Sequence, residues 1–256
     1  MKNSKKLTIL GLSAATALVA ATGAVSSFAW FAANGTVEAN GMTIKALAAD
    51  AYLQIGNSAE TFENTSISYT VAASTQTETK VLTPAHLYNS VSADNKSGEE
   101  YKGGADRVWV TGHSKSVESG ALDGTFTKIE SGLGSYVSEN EFKLRLRPAA
   151  NGDTPTAERL DISVSWFNGS IPEGDLKNSV SVLVSNDDRG QLFTYGTSGF
   201  AATSGTADVN VVTGLTDVVQ TVKVSVFFDG NHADCKSANV FADKTYSVAV
   251  TFSIHK

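Results

Sequence analysis

Hydrophobic and polar residues alternate with a period of two over much of the chain, as in strands with one buried face. The clearest runs are residues 141–147, 160–166, 180–185 and 246–254. Together with shorter runs they predict a set of about ten strands. Residues 218–228 end in a continuous apolar stretch, so we expect this segment to be a central strand covered on both faces.

Turn-forming residues separate these runs. Asn168-Gly169 is a predicted turn, and residues 186–190 are expected to close a hairpin within 180–195. Only residues 84–92 indicate a helical turn or two, because Pro84 suits a first-turn position. Helical periodicity is otherwise weak after residue 29.

Two long segments, residues 90–104 and 117–134, are polar and rich in Gly and Ser, so we interpret them as surface loops. The sequence shows no repeat of fixed period and no linker that divides it. The pattern predicts an all-β fold, a single antiparallel β-sandwich of jelly-roll type over residues 46–256. Long surface loops and an extended N-terminal segment, residues 30–45, complete the predicted organisation.

The first 29 residues have the organisation of a secretory signal peptide. Three lysines precede an uninterrupted run of apolar and small residues, 7–28, and small side chains flank Phe28 at the predicted cleavage site. We expect a signal peptidase to remove residues 1–29. The alternative is a retained membrane anchor, since about 20 apolar residues span a bilayer. The many Ala, Ser and Thr residues make a permanent helix marginal, so no stable span is expected after processing.

The predicted mature N-terminus, residues 30–45, begins with two aromatic residues and is uncharged as far as Glu38. An apolar, extended segment of an exported protein needs a partner that removes it from water. It is expected to add as a strand either to its own sandwich or to that of a neighbouring molecule. The residues by themselves leave both alternatives open.

Charge and cysteine usage narrow the range of partners. Removing residues 1–29 takes away three lysines and no acid, so the formal net charge falls from −6 to −9. An acidic exported protein repels phosphate, which argues against nucleic acid as a partner. Cys235 is the only cysteine, so no intrachain disulfide can form. A buried or inert thiol is expected there rather than a bond between chains.

Few residues form a pattern with known chemistry. The four histidines are widely spaced, and Ser198 lacks a G-x-S-x-G elbow, so we predict no catalytic residue. Asp229, Asn231 and Asp234 place three oxygen ligands in one short segment, which suits a weak calcium site. The alternative is an ordinary turn after a strand. We therefore expect no organic cofactor. If this segment binds a metal ion, we expect that ion to be calcium.

Four aromatic residues could serve either in ligand binding or in the core. An exposed row of aromatic rings could form a sugar-binding platform. These residues lie within or beside the predicted strand runs, however, which favours packing in the core. They are Trp109, Trp166, Phe227 and Phe228.

The N-terminal segment resembles that of the TasA/camelysin family, exported proteins of monoderm bacteria that are processed by a SipW-type signal peptidase. The resemblance rests on the long small-residue segment, the aromatic pair Trp30-Phe31 at the processing site, and the extended stretch that ends in Thr43-Ile44-Lys45-Ala46. Residues 46–55 depart from the strand sequence usual in that family.

The resemblance implies a secreted jelly-roll subunit, not an enzyme, that forms extracellular fibres of a biofilm matrix or surface filament. In such a homopolymer the mature N-terminal segment is a donor strand for the neighbouring identical subunit. The side chains expected to fill pockets in that neighbour are Trp30, Phe31, Val37, Met42 and Ile44.

A binding module is the alternative function. The chain would then be a monomeric cell-surface adhesin or a carbohydrate-binding β-sandwich. Its contact surface would be the two long loops, residues 90–104 and 117–134.

Overall fold

The computed structural model describes residues 37–47, 53–56, 68–71, 81–91, 98–111, 127–147, 155–203, 211–235 and 245–255. All of these belong to the compact unit Thr36–Lys256. The predicted signal peptide and residues 30–36 lie outside the described residues.

The described residues form sixteen strands in three sheets. The first sheet contains β1 (Val37–Leu47), β3 (Ser68–Val71), β4 (Val81–Leu82), β10 (Ala157–Trp166), β14 (Thr213–Leu215) and β16 (Thr245–His255). The second contains β2 (Leu53–Gly56), β9 (Val137–Leu146), β11 (Val180–Ser185), β12 (Gly190–Gly196), β13 (Gly199–Ala202) and β15 (Gln220–Phe228). The third contains β5 (Ala85–Val91), β6 (Gly98–Glu100), β7 (Val108–Thr111) and β8 (Thr127–Lys128). Short 3-10 turns lie at Leu133–Ser135, Phe167–Gly169 and Asp175–Ser179.

The order of strands in the first sheet is β14-β10-β16-β1-β3, with β4 also paired to β1. In the second sheet the order is β13-β12-β11-β15-β9-β2. The predicted all-β class and the sandwich-like arrangement of mainly antiparallel sheets are confirmed, and β15 occupies the central position expected of residues 218–228.

Aromatic rings join the first two sheets across the core. Trp166 of β10 packs edge-on against Tyr195 of β12 and Phe200 of β13, with ring centroids 5.0 and 4.9 Å apart. Phe228 of β15 meets Tyr246 of β16 at 5.3 Å. The interpretation of the aromatic residues as core is confirmed for Trp166, Phe227 and Phe228, which are buried, whereas Trp109 is half-buried and packs against the core from outside.

Strands with one buried face follow the predicted alternation. In β9, Phe142, Leu144 and Leu146 are buried while the residues between them are half-buried. Strand β16 follows the same pattern except at Ala249, which is also buried, and Tyr246 and Phe252 are buried as predicted. Each fully buried large apolar side chain contributes roughly 1.5–3 kcal/mol to stability.

The third sheet covers the outer face of the second sheet. This region therefore has three layers, whereas the sequence predicted a sandwich of two. Leu87 and Tyr101 pack against Val137, Leu183 and Phe227 in one buried cluster. Trp109 of β7 adds an edge-on contact to Phe227, at 4.8 Å between ring centroids. Every residue of β11 is consequently buried, although its serines were predicted to face outwards.

The helical turn predicted at residues 84–92 is wrong, because this segment forms strand β5. Ala85, His86, Leu87 and Tyr88 are all buried, so both faces of the strand are covered and the sequence shows no alternation. The long loops predicted at residues 90–104 and 117–134 contain strands β6 and β8, respectively. Both strands belong to the third sheet.

The β11–β12 hairpin forms where turn residues predicted it. The Asn186 side-chain oxygen accepts hydrogen bonds from the backbone N–H groups of Asp188 and Arg189, at 3.0 and 2.7 Å. This local bonding is the reason that asparagine favours turns.

Among the described residues there is no helix of the length and apolar character needed to cross a membrane.

Candidate functional site

Strand β1 carries three of the five residues predicted to act in a donor strand. Val37, Met42 and Ile44 lie on it, whereas Trp30 and Phe31 lie outside the described residues. The strand extends to Leu47, two residues beyond the predicted segment. Within this single copy β1 belongs to the chain's own sheet, which is one of the two alternatives that the sequence left open.

The pairing of β1 is unusual for this fold. It runs parallel to β16 over eight residue pairs, from Glu38 with Thr245 to Leu47 with Ser253. All the other strand pairs in the described part of the chain are antiparallel. The ladder is irregular between Ala39 and Met42, where the sequence is Asn40-Gly41. One extra residue of β1 is accommodated there, as in a β-bulge.

The far side of β1 is only partly paired by described strands. Strand β3 pairs with four residues, from Met42 to Lys45, and β4 pairs with Val37 and Glu38. The most extensive pairing of β1 with a described strand is therefore its eight residue pairs with β16. That ladder also covers the edge of a strand whose side chains fill the core, including Val250 and Phe252 with no exposed surface.

A charged cluster built around a buried histidine lies between the third sheet and the end of β15. His86 of β5 has a side chain that is 7 % exposed, and its two ring nitrogens face two carboxylates. Nδ1 is 2.5 Å from Oδ1 of Asp229, and Nε2 is 3.1 Å from Oε2 of Glu100. The ring of Tyr88 packs edge-on against the imidazole at 4.5 Å.

Backbone contacts hold the partners of His86 in place. Glu100 is brought close because β6 pairs with β5, with Glu100 opposite Tyr88. Asp229 directly follows β15 and forms a parallel bridge with Ala85, while the N–H of Gly230 donates to the Ala85 carbonyl at 2.9 Å. The cluster therefore ties the third sheet to the second.

The cluster holds a charged imidazole at neutral pH. Burial alone lowers the pKa of His86, but the charge of Asp229 and the hydrogen bonds to Asp229 and Glu100 outweigh it. The pKa is raised from 6.5 to about 9. A general base needs a ring nitrogen with a free lone pair. Because both nitrogens of His86 donate to carboxylates, this arrangement suits an electrostatic tie between sheets.

The residues predicted as calcium ligands lie in one loop but face different partners. Besides His86, Oδ1 of Asp229 accepts the N–H of Asn231 at 2.9 Å. Oδ2 of Asp234 accepts a hydrogen bond from the Asn178 amide at 2.9 Å. No group of three or more His, Cys, Asp or Glu side chains in the described ranges is arranged to hold a metal ion. The calcium site stays a prediction.

Two further sequence predictions concern single residues. Cys235 is buried, as predicted, and burial raises the pKa of its thiol to about 12. Ser198 is exposed in the turn between β12 and β13.

The His86 cluster was not predicted from the sequence. Its partners are 14 and 143 residues away along the chain, so no local motif contains them. The signal that was present is a histidine inside the otherwise apolar run of residues 84–88. A histidine that is buried in such a run needs a hydrogen-bonding or charged partner, because burial of an unpaired polar side chain is costly.

Comparison with known proteins gives no further assignment. No family model matches this chain, and no curated protein or solved structure matches it either.

Proposed function

We propose that the mature chain is a secreted structural subunit that self-assembles into extracellular fibres, with the N-terminal strand of each copy completing the sheet of its neighbour. The observation that carries the proposal is the eight-pair parallel ladder between β1 and β16. The resemblance of residues 1–46 to the TasA/camelysin family supports the same function.

The geometry of this ladder suits exchange between copies. Parallel neighbours cannot be joined by a tight turn, so β1 reaches β16 through a long path in the chain. The backbone hydrogen bonds between the two strands are the same whichever copy supplies β1. Exchange of an identical element between copies is therefore a low-cost route to assembly.

Loss of β1 from its place beside β16 would be unfavourable, so binding of a neighbour's β1 at the same edge is favoured. Without β1, the edge of β16 would expose its unpaired N–H and C=O groups beside a core that contains Val248, Val250 and Phe252. Backbone pairing of the incoming strand supplies affinity, and alternate side chains supply register. Donor and acceptor are different surfaces of one chain, so the contact repeats as an open filament.

Electron microscopy of the signal-processed protein tests this function. We expect filaments after incubation of residues 30–256, and soluble monomers when residues 30–45 are deleted. Adding a synthetic peptide of residues 30–47 to the truncated protein should occupy the open edge and stabilise the fold, which circular dichroism during heating will detect. Filaments of unchanged appearance from the truncated protein would show that this segment does not drive assembly.

A further inference from the structure

An open cleft lined by both polar and apolar groups lies at one end of the sandwich, where three segments of the chain meet. These are the 3-10 turn Asp175–Ser179, the turn between β12 and β13, and the loop that follows β15. The cleft has a volume of about 310 Å³ and lies at the lower end of the ~300–1,000 Å³ range of small-molecule sites. Its principal lining residues are Lys177, Asn178, Tyr195, Thr197, His232 and Asp234.

Hydrogen bonds within the wall fix the polar side chains before any ligand arrives. Nζ of Lys177 donates to the Gly174 carbonyl at 2.8 Å, and Nδ2 of Asn178 donates to Asp234 at 2.9 Å. The backbone N–H of Asp234 donates to Nδ1 of His232 at 3.1 Å. A site held in this way loses little conformational freedom when it binds.

The same contacts leave donors for a ligand. Because Nδ1 of His232 accepts a hydrogen bond, the neutral ring carries its proton on Nε2, which can donate. The hydroxyls of Tyr195 and Thr197 have no hydrogen-bond partner within the described ranges of the chain. Hydroxyl groups can both donate and accept, so the wall offers both kinds of bond.

An aromatic ring forms the apolar part of the wall. Tyr195 is half-buried, and its ring is held by Trp166 at 5.0 Å and Phe200 at 5.1 Å between centroids. This packing keeps the ring in one orientation. A rigid ring beside polar groups suits a ligand with an apolar face and a polar edge.

We propose that this cleft binds a neutral sugar. One cation, Lys177, and one anion, Asp234, line it, so the cleft carries no excess charge that would select a charged ligand. A sugar ring offers hydroxyls that donate and accept around its edge and C–H groups on its face. Those features match the polar groups of the wall and the Tyr195 ring. The site lies outside residues 90–104 and 117–134, and binding there is compatible with a fibre subunit.

Saturation-transfer NMR on the signal-processed chain tests the site, with glucose, galactose, mannose and N-acetylglucosamine as probes. At least one of them should give transfer signals. Thr197→Arg should weaken binding about tenfold or more, because the exposed side chain would fill the cleft. Asn178→Ala should also weaken it, since the amide that orients Asp234 is lost.

Ser198→Arg is the matched control, because Ser198 is the adjacent exposed residue of the same turn and does not line the cleft. It should bind the sugar as the wild type does. The proposal is overturned if none of the four sugars gives signals. It is also overturned if Thr197→Arg and Ser198→Arg behave alike, or if glucuronate binds while no neutral sugar does. Circular dichroism confirms that each variant is folded.

Discussion

Deprotonation of His86 should destabilise the folded chain as the pH rises from 6.5 to about 9. Folding raises the pKa of this imidazole from 6.5 to about 9, so the native state binds the proton more tightly than the unfolded chain. The stabilisation is complete below pH 6.5 and is lost as the pH rises through about 9. Above that range the neutral ring can no longer donate to both Asp229 and Glu100.

The size of the effect follows from the change in proton affinity. Each tenfold change is worth about 1.4 kcal/mol, so a rise in pKa from 6.5 to about 9 corresponds to about 3 kcal/mol of unfolding free energy. Solvent screens the imidazole little, because the His86 side chain is 7 % exposed. A typical domain has a total stability of only about 5–15 kcal/mol, so the loss is large enough to measure.

Urea unfolding at several pH values, followed by tryptophan fluorescence, measures the effect. The loss of unfolding free energy between pH ~6 and ~9.5 should be about 3 kcal/mol smaller in His86→Asn than in the wild type. A smaller loss remains in both proteins, because burial raises the pKa of the Cys235 thiol to about 12 and this thiol ionises more readily in the unfolded chain. Asparagine keeps a donor near Asp229 but does not titrate. His232→Asn is the control, and it should keep the wild-type dependence. A flat wild-type profile, or the same slope in His86→Asn, would refute the assigned role of His86.

Three further predictions follow from packing and burial. Gly190→Ala should destabilise the fold by about 1–3 kcal/mol in urea, because its Cβ would overlap the buried Tyr101 hydroxyl. Gly196→Ala, at the other end of β12, has open space for a Cβ and should lose far less, so equal losses would contradict the packing. Cys235 should react with a thiol reagent at pH 8 only after unfolding, since it is 5 % exposed; rapid reaction of the native protein would disprove this. Calcium should leave Tm unchanged, because both carboxylates of the loop after β15 already have partners. A calcium-dependent rise in Tm that disappears when both carboxylates are neutralised would instead establish the metal site.

Strands with one exposed face could be predicted from the sequence, because burial of alternate residues leaves a clear pattern. Strands β9, β10 and β16 are of this kind. Strand β5 was predicted as a helical turn because both of its faces are buried. Leu87 packs against the second sheet on one face, and His86 and Tyr88 are buried on the other. A strand covered on both sides has no period to detect. Strands β6 and β8 of the third sheet were missed for a different reason: they have only three and two residues, and both residues of β8 are exposed, so no buried face leaves a pattern.

The charged cluster could not be predicted, because its residues come together only through the fold. Asp229 was singled out for its carboxylate, yet its partner His86 lies 143 residues earlier in the chain. The sequence indicated that residues 30–45 need a partner, but a hydrophobic segment does not reveal whether that partner is the same molecule or the next one. This second question is the one that matters for function.

A disulfide between β1 and β16 within one copy tests the fibre account most directly. Lys45 and Thr251 are paired residues of the two strands, so Lys45→Cys/Thr251→Cys can lock β1 into its own sheet when the monomer is oxidised. Ser163→Cys/Thr251→Cys joins β16 to β10 instead and leaves β1 free, which makes it the matched control. Negative-stain imaging should show no filaments from the oxidised β1–β16 variant, filaments after its reduction, and filaments from the control in both states. Filaments from the oxidised β1–β16 variant, as abundant as those of the control, would contradict assembly by exchange of β1.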